Sequence, residues 1–301
     1  MEYQWVEFEG REIRLSRLKK EIWPGITKAD LISYYLEVSD LILPYLRDRP
    51  LTLTLYPNGI SGKKIVLKNY PSHAPNWIER FPYYSVHEGR TINYLICSSK
   101  ASLIWLANLT NLEFHITLSK RDDFNKPDLM LFDLDPFPPA GFKEAARAAL
   151  IIRDGLRELG LKAYPKTSGA TGLHILVGVE RKYEFKEIRE IVRILGSMIQ
   201  SLYPEVIAEH MPVEKRRGKV FLDFAQNSLG RTITSPYSLK PVLGAVVSTP
   251  LQWRELEEMD FKPEDFNIHT IPDRVRRIGD LSLPILKEPQ DLAKAITLLK
   301  N

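Results

Sequence analysis

Asp133 and Asp135 stand one residue apart in Asp128-Leu129-Met130-Leu131-Phe132-Asp133-Leu134-Asp135-Pro136, a segment that is otherwise largely apolar. Read as a strand, it places Met130, Phe132 and Leu134 on one face and Leu131, Asp133 and Asp135 on the other. Two neighbouring carboxylates at the end of an apolar strand repel each other and lose hydration unless a cation lies between them. A hard divalent ion, magnesium or manganese, prefers carboxylate oxygen and also binds phosphates. The plainer alternative is a strand that ends there, with Asp135-Pro136 opening a turn. A second apolar segment, Val220-Phe221-Leu222-Asp223-Phe224, carries one more acid. If the two strands are neighbours, Asp223 completes a three-carboxylate cluster. Two ions held there would activate an attacking 3′-hydroxyl and stabilise a leaving pyrophosphate. Taken alone, Asp223 reads as a strand-end residue.

Between these segments lies Lys166-Thr167-Ser168-Gly169-Ala170-Thr171-Gly172-Leu173-His174. Its glycines let backbone amides approach an anion, Ser168 can donate a hydrogen bond, and Lys166 and His174 can add positive charge. It lacks the Gly-Lys-Ser/Thr ending of a P-loop, and an ordinary Gly/Ser turn has the same composition. His115, between Phe114 and Ile116, reads as a core histidine, while His73, His87, His210 and His269 form no constellation and no zinc spacing. The lone Cys97 follows Tyr94-Leu95-Ile96 and reads as a buried structural thiol, with no disulfide available within the chain.

These side chains need a scaffold. The 301 residues, 44% hydrophobic and 27% charged, suit an ordinary globular protein of two packed lobes or one large mixed domain. The net charge of +4 does not by itself imply a nucleic-acid partner; the clusters Lys19-Lys20, Lys63-Lys64 and Lys215-Arg216-Arg217 are either solvated surface or local contacts. The N-terminus does not resemble a signal peptide, and no apolar run approaches the ~18 residues of a membrane span, so no membrane partner is expected. Residues 2–15 predict short strands. Thr27 predicts a helix N-cap with Asp30 completing a capping box, and the helix that follows is expected to end or kink at Pro44. Residues 51–68 predict a hairpin, and 100–112 a buried helix. A charged loop at 120–127 marks the expected lobe boundary. Beyond it come a strand (128–135), a helix (142–160), strands (161–166 and 173–179), a helix (185–203), a basic loop (210–218) and a strand (219–225). Residues 251–301 predict a mostly helical tail packed on the body. Alternation of this kind specifies mixed layers of sheet and helix.

Taken in order, the motifs resemble the polymerase domain of ligase D, the non-homologous end-joining polymerase of the archaeo-eukaryotic primase superfamily. The matching segments are Lys20-Glu21-Ile22-Trp23-Pro24 with Ile26-Thr27-Lys28-Ala29-Asp30, Arg49-Pro50-Leu51-Thr52-Leu53, Tyr56-Pro57-Asn58-Gly59, and Glu113-Phe114-His115. They continue with Phe132-Asp133-Leu134-Asp135-Pro136, Lys166-Thr167-Ser168-Gly169, Gly172-Leu173-His174, Phe221 to Asn227 and Ser235-Pro236-Tyr237-Ser238-Leu239, so that the resemblance runs from about residue 10 to 255.

The resemblance implies an α+β, primase-like fold with mixed sheets and an RRM-like catalytic lobe flanked by helices. It divides the chain into an N-terminal lobe (1–120), a catalytic lobe (121–250) and the tail (251–301). It implies a template-dependent nucleotidyltransferase that fills short gaps at DNA ends and prefers ribonucleotides. Asp133, Asp135 and Asp223 are then the catalytic metal ligands. His115, Lys166, Ser168, Gly169, His174, Arg231 and Lys240 serve the nucleotide, with Ser168 the candidate beside the ribose 2′-hydroxyl. Lys20 and Lys28 grip a 5′-phosphate, and Lys68 and Arg216 are further DNA contacts. The implied cofactor is Mn²⁺ or Mg²⁺, and the substrates are NTP or dNTP. The implied partners are broken or gapped 5′-phosphorylated DNA, Ku and a DNA ligase, fused or separate, and the implied setting is the cytoplasm at the nucleoid. No Lys-x-Asp-Gly ligase motif occurs in the chain.

Three positions depart from the pattern: Ile65-Val66 stands where paired aromatics are common, Leu55 where an arginine is common, and Lys240 in place of a nucleotide-side arginine. Two other classes use part of the same evidence. A non-catalytic DNA-end-binding module recruiting Ku or a ligase would need Lys20 and Lys28 but not the acids. An Asp-x-Asp phosphohydrolase usually places its acids near the chain start, followed by Thr or Val, where this chain has Phe137 in mid-sequence.

Overall fold

The computed structural model describes residues 3–86, 88–208 and 216–300. His87, His210 and the start of the basic loop, including Lys215, lie outside the described residues. The described residues form two units, each discontinuous in sequence: one is built from the chain up to Thr117 with Thr232–Ser248 and Phe266–Gly279, the other from Leu118–Arg231, Thr249–Asp265 and the chain from Asp280 onward. The expected division into consecutive stretches therefore differs from the grouping of the contacts, in which segments of the last third of the chain return to each unit.

In the first unit, β1 (Tyr3–Phe8) and β2 (Arg11–Ser16) make an antiparallel hairpin, and β3 (Glu21–Trp23) and β4 (Ile26–Thr27) a smaller one. Helix α1 (Lys28–Glu37) opens on the expected capping box: Asp30 N donates to Thr27 Oγ1 at 3.3 Å, and Thr27 N donates to Asp30 Oδ2 at 2.7 Å. The break expected at Pro44 falls earlier, at the buried Val38. Pro44 sits inside a second helix, α2 (Ser39–Leu46). That helix is so short that the missing proline N–H costs a single backbone bond near its end.

The main sheet of this unit has the order β15-β9-β5-β8-β7, with β6 (Ile65–Leu67) paired to β5 (Pro50–Leu55). Its other members are β7 (Arg80–Ser85), β8 (Arg90–Ile96), β9 (Asn111–Thr117) and β15 (Thr232–Thr234). Helix α3 (Lys100–Asn108) is almost wholly buried, and it stops before the expected residue 112. The backbone turns there through Thr110, at φ 62°, into β9.

The second unit runs β10 (Leu129–Pro136), α4 (Phe142–Glu158), β11 (Tyr164–Thr167), β12 (Leu173–Gly178), α5 (Phe185–Leu202), β13 (Ile207–Ala208) and β14 (Val220–Leu222). The sheet order is β11-β12-β10-β14-β13, so β10 is central and antiparallel to both neighbours. With β13 set aside, this is a β-α-β-β-α-β unit. Leu129 to Leu134 are buried without interruption, Asp133 included at 7% exposed. A strand covered on both faces reads as a continuous apolar run, which is why one acid within it stands out. The helical tail resolves into α6 (Trp253–Glu258), α8 (Pro284–Lys287) and α9 (Ala293–Lys300) in this unit and α7 (Ile271–Ile278) in the first.

β14 is shorter than the strand expected over 219–225 and ends at Leu222. The buried Asn227 continues its pairing in a different form. Asn227 Oδ1 accepts from Leu131 N at 2.9 Å, and Asn227 Nδ2 donates to Leu131 O at 2.7 Å. One side-chain amide thus takes the place of a neighbouring strand. Leucine has similar volume but leaves a buried N–H and C=O of β10 unmet. Asn227→Leu is expected to lower unfolding stability by roughly 2–4 kcal/mol, measured by urea denaturation. A loss below about 0.5 kcal/mol would mean that the amide is not holding the strand.

Candidate active site

Residues directly opposite on antiparallel strands point to the same face of the sheet. In the second unit Lys166 pairs with His174, and His174 with Asp133. Asp223 extends the row, because its N–H donates to Asp133 O at 3.0 Å, one step beyond the Leu134–Leu222 pair. The expectation that Asp223 lies beside the Asp133 strand is met, but Asp223 is not inside a strand. It caps a 3₁₀ turn, Phe224–Gln226, and accepts from Ala225 N at 3.0 Å.

Asp135 lies two residues along β10. Opposite it, Gly172 has no side chain, and a Cβ there would lie 2.6 Å from Leu134 O and 3.3 Å from Asp135 Oδ1. The glycine therefore makes room for the strand and its carboxylate. Ser168 closes the turn: its N–H donates to Gly172 O at 3.0 Å, and its Oγ accepts from Gly172 N at 3.2 Å. With Gly169 at φ 86°, the turn has the backbone freedom that a phosphate nest requires.

The electrostatics follow from this crowding. Loss of hydration, then the charges of Asp133 and Asp223, push the Asp135 carboxyl up to about 6. Asp223 is raised as well, first by burial and then by Asp133, against the opposing pull of Ala225 N–H, Arg231 and Arg216. Asp133 Oδ1 lies 3.2 Å from His174 Nε2, both side chains being nearly enclosed. Each acid thus meets a different neighbour. Among the described residues, no three His, Cys, Asp or Glu side chains form a ready-made metal cage. The donor set nonetheless fits a hard divalent cation: carboxylate oxygens, from β10 and from the turn that follows β14, whose ionised forms disfavour one another.

The other expected contacts fall out as follows. Lys166 is fully buried, shares the face of His174 and Asp133, and donates to Thr167 O at 3.3 Å. Arg231 is exposed. Arg216 stacks 3.6 Å over the Phe221 ring, and Lys68 is exposed and paired with Glu88 at 2.7 Å. Cys97 is fully buried, and burial pushes its thiol up to about 12, in keeping with a structural role.

In the first unit, sequence reasoning overlooked Glu113 as a hub. It lies 2.5 Å from Lys240 Nζ and 3.3 Å from His115 Nε2, and it accepts from Tyr56 Oη at 3.3 Å. His115 is therefore not an isolated core residue. The available signal was the spacing Glu113-x-His115, which puts both side chains on one face of β9. In the same unit Lys28 Nζ donates to Ser16 O at 2.7 Å, while Lys20 donates to Pro57 O and, at 3.0 Å, to Asn58 Oδ1. Burial, then the charges of Arg17 and Lys20, lower Lys28 to about 8. Cations crowded in this way favour an anion.

The geometry of the second unit, acids on a central strand beside a Gly/Ser turn, defines a candidate nucleotidyl-transfer site. Residues 27–282 match the family described as LigD, primase-polymerase domain. The chain is 31% identical over 269 residues to the bifunctional non-homologous end joining protein LigD of Bacillus subtilis, covering 88% of this chain and 42% of that protein. It is 29% identical over 287 residues to the multifunctional non-homologous end joining protein LigD of Mycolicibacterium smegmatis, covering 94% and 37%. Among solved structures it is similar to the polymerase domain of Mycobacterium tuberculosis ligase D in complex with DNA, with a TM-score of 0.85 and 27% identity over 92% of this chain and 99% of that one. The chain belongs to the LigD primase-polymerase domain family, and it spans less than half the length of these curated relatives. The fold is therefore the α+β, archaeo-eukaryotic primase-like fold, and the chain is a nucleotidyltransferase of that family.

The Glu113 hub has a pH signature. Burial alone would raise the Glu113 carboxyl, but His115 and Lys240 overcome it and hold the group near 2, below its usual 4.5. A depressed acid stabilises the fold above its unfolded pKa, and that contribution is lost as pH falls from 4.5 towards 2. Lys240→Met removes one depressing charge. The variant is expected to be less stable at neutral pH and to lose less further stability than the wild type on acidification through this window. Parallel stability–pH curves from denaturant titrations would show that the pair is not coupled.

Proposed function

We propose that this chain fills short gaps at broken DNA ends during non-homologous end joining, adding nucleotides under template direction to a primer 3′-hydroxyl and preferring ribonucleotides. The observation that carries the reading is the placement of Asp133 and Asp135 on β10, with Asp223 bonded to Asp133 just past the end of β14, beside the Ser168–Gly172 turn. Asp133, Asp135 and Asp223 would hold Mn²⁺ or Mg²⁺. When bound, such ions make the 3′-hydroxyl more acidic and neutralise charge on the leaving pyrophosphate.

The chain's own groups supply the rest. The 3′-hydroxyl gives up its proton to solvent, its oxygen forms a bond to the α-phosphorus, the bond from that phosphorus to the bridging oxygen breaks, and pyrophosphate leaves. The Ser168–Gly172 turn is proposed to orient the phosphates through its backbone N–H groups. Ser168 Oγ accepts from its own turn and so keeps its proton to donate to a phosphate or to the ribose 2′-hydroxyl. His174 and the enclosed Lys166 are proposed to hold Asp133 in place rather than both touching the nucleotide. His115, Lys240 and Arg231 remain proposed nucleotide contacts, and Lys68 and Arg216 proposed DNA contacts. Lys20 and Lys28 are proposed to grip a 5′-phosphate, and Ku and a DNA ligase are the proposed partners. Among the described residues no helix is long and apolar enough to cross a membrane, and the proposed setting is the nucleoid.

Asp133→Ala is expected to reduce primer extension on a gapped, 5′-phosphorylated duplex by at least about a thousandfold, with DNA binding within about twofold of wild type. Full extension by a folded variant would overturn the catalytic assignment and favour a non-catalytic end-binding module. Lys28→Ala is expected to weaken binding to phosphorylated gaps more than to unphosphorylated ones. In the wild type, phosphate binding should draw a proton onto Lys28 near pH 8, because a new anion offsets the burial that lowers it to about 8. Calorimetry in buffers of different ionisation enthalpy measures that uptake. Equal losses on both DNAs, with no proton uptake, would remove Lys28 from the phosphate site.

A further inference from the structure

We propose that the outward face of the β1–β2 hairpin is a stacking platform for one or two unpaired bases adjoining a 5′-phosphorylated DNA end. The proposal rests on reading Lys20 and Lys28 as the phosphate grip and extends that site along the hairpin. Tyr3 and Trp5 are 61% and 58% exposed, unusual for aromatic residues on a strand. The register pairs Tyr3 with Ser16 and Trp5 with Arg14, so all four side chains share one face. Arg14 lies 5.6 Å from the centre of the Tyr3 ring. The opposite face is the anchored one: Ile13 and Leu15 are 2% and 6% exposed.

This face joins the cationic group directly. Ser16, opposite Tyr3, gives its carbonyl to Lys28 Nζ at 2.7 Å, and Arg17 and Lys20 are among the charges that act on Lys28. A strand whose terminal phosphate sits on those cations therefore has aromatic rings and a guanidinium within the next step of the hairpin. Every base has a π-face, so rings of this kind hold unpaired bases without reading sequence. The platform is short. Glu7 pairs with Glu12 on the same face, one register step past Trp5, and two carboxylates repel a phosphate backbone. It is also rigidly mounted, because Asn108 accepts from Ser16 N at 3.2 Å and donates to Arg14 O at 3.1 Å, fixing β2 to the end of α3.

The test uses a duplex with a recessed 5′-phosphate, whose opposing 3′ overhang carries either normal bases or abasic sites at its first positions, each with and without the phosphate. Wild type is expected to bind the based overhang about tenfold more tightly than the abasic one. The paired variant Tyr3→Ala/Trp5→Ala should lose that preference yet keep its preference for the phosphate. Trp5→Phe, which retains a ring, should keep most of both. Lys28→Ala should lose the phosphate preference and keep the base preference. If wild type favours the phosphate but binds both overhangs alike, the platform is overturned and the phosphate grip stands. If bases matter and the phosphate does not, the grip is the part that fails. If Tyr3→Ala/Trp5→Ala changes only the sedimentation behaviour of the protein and not its DNA binding, the face is a contact between copies of the chain and the platform is wrong.

Discussion

Like charges held close together are the constraint on which the second unit depends. Asp133, Asp135 and Asp223 are kept near one another because β10 is clamped on both sides, and antiparallel register fixes which residue meets which. A slip of one residue would turn Asp133 and Asp135 to the opposite face and bring Phe132 and Leu134 into their place. The apolar run from Leu129 to Leu134 opposes such a slip through continuous burial. Mutual repulsion is then an accepted cost, visible in the raised Asp135 and Asp223 carboxyls. A bound cation would offset that cost, whereas an apolar replacement would remove the repulsion together with the oxygen donors that such an ion needs.

Much of this was legible in the residues. Alternation around Asp133 gave the correct facing, Thr27 and Asp30 gave the start of α1, and the β-α-β-β-α-β order of the second unit followed from strand and helix patterns. The misjudged features are those set by tertiary partners. Pro44 is a strong local helix breaker, yet Val38 makes the break, because α1 and α2 are separately packed. Asp223 looked like a strand residue because its neighbours are apolar, but Asn227 pairs with β10 through its side chain and lets the backbone turn early. The burial of Lys166 had no local signal, because it carries a charge in a Gly/Ser-rich segment and only the sheet encloses it. Asp133, Asp135 and Asp223 were readable by spacing together with the ordered motifs. The Glu113 hub was not, because its partner Lys240 lies far along the chain and joins it only when β15 pairs with β9.

Side-chain amides recur where strand backbone groups are met by a side chain instead of by another strand's peptide groups. Asn227 does this for Leu131. Asn108 does it for Arg14 and Ser16. Asn111 accepts from Thr54 N at 2.8 Å and donates to Glu113 O at 3.2 Å, on the strand that presents Glu113 and His115. An asparagine side chain presents an acceptor and a donor side by side, as a peptide group does, so it can meet the backbone groups of a strand at a point where the regular ladder stops or shifts. In each case the residues so fixed belong to, or adjoin, a charged site. Catalytic and binding groups need positions held within a fraction of an ångström, and a short amide clamp achieves this where a longer strand would cover the site.

The departures from the family pattern are consistent with this physics. Lys240 in place of arginine keeps a positive charge beside Glu113 but gives up the two-pronged grip. It compensates by taking two acceptors of its own unit, Glu113 and, at 3.2 Å, Thr234 Oγ1. A point charge already shared between two acceptors is a weaker anchor for a third than a guanidinium would be. In the second unit the Ser168–Gly172 turn is held beside Asp135 by its own backbone and hydroxyl hydrogen bonds, so its shape does not depend on a charged side chain.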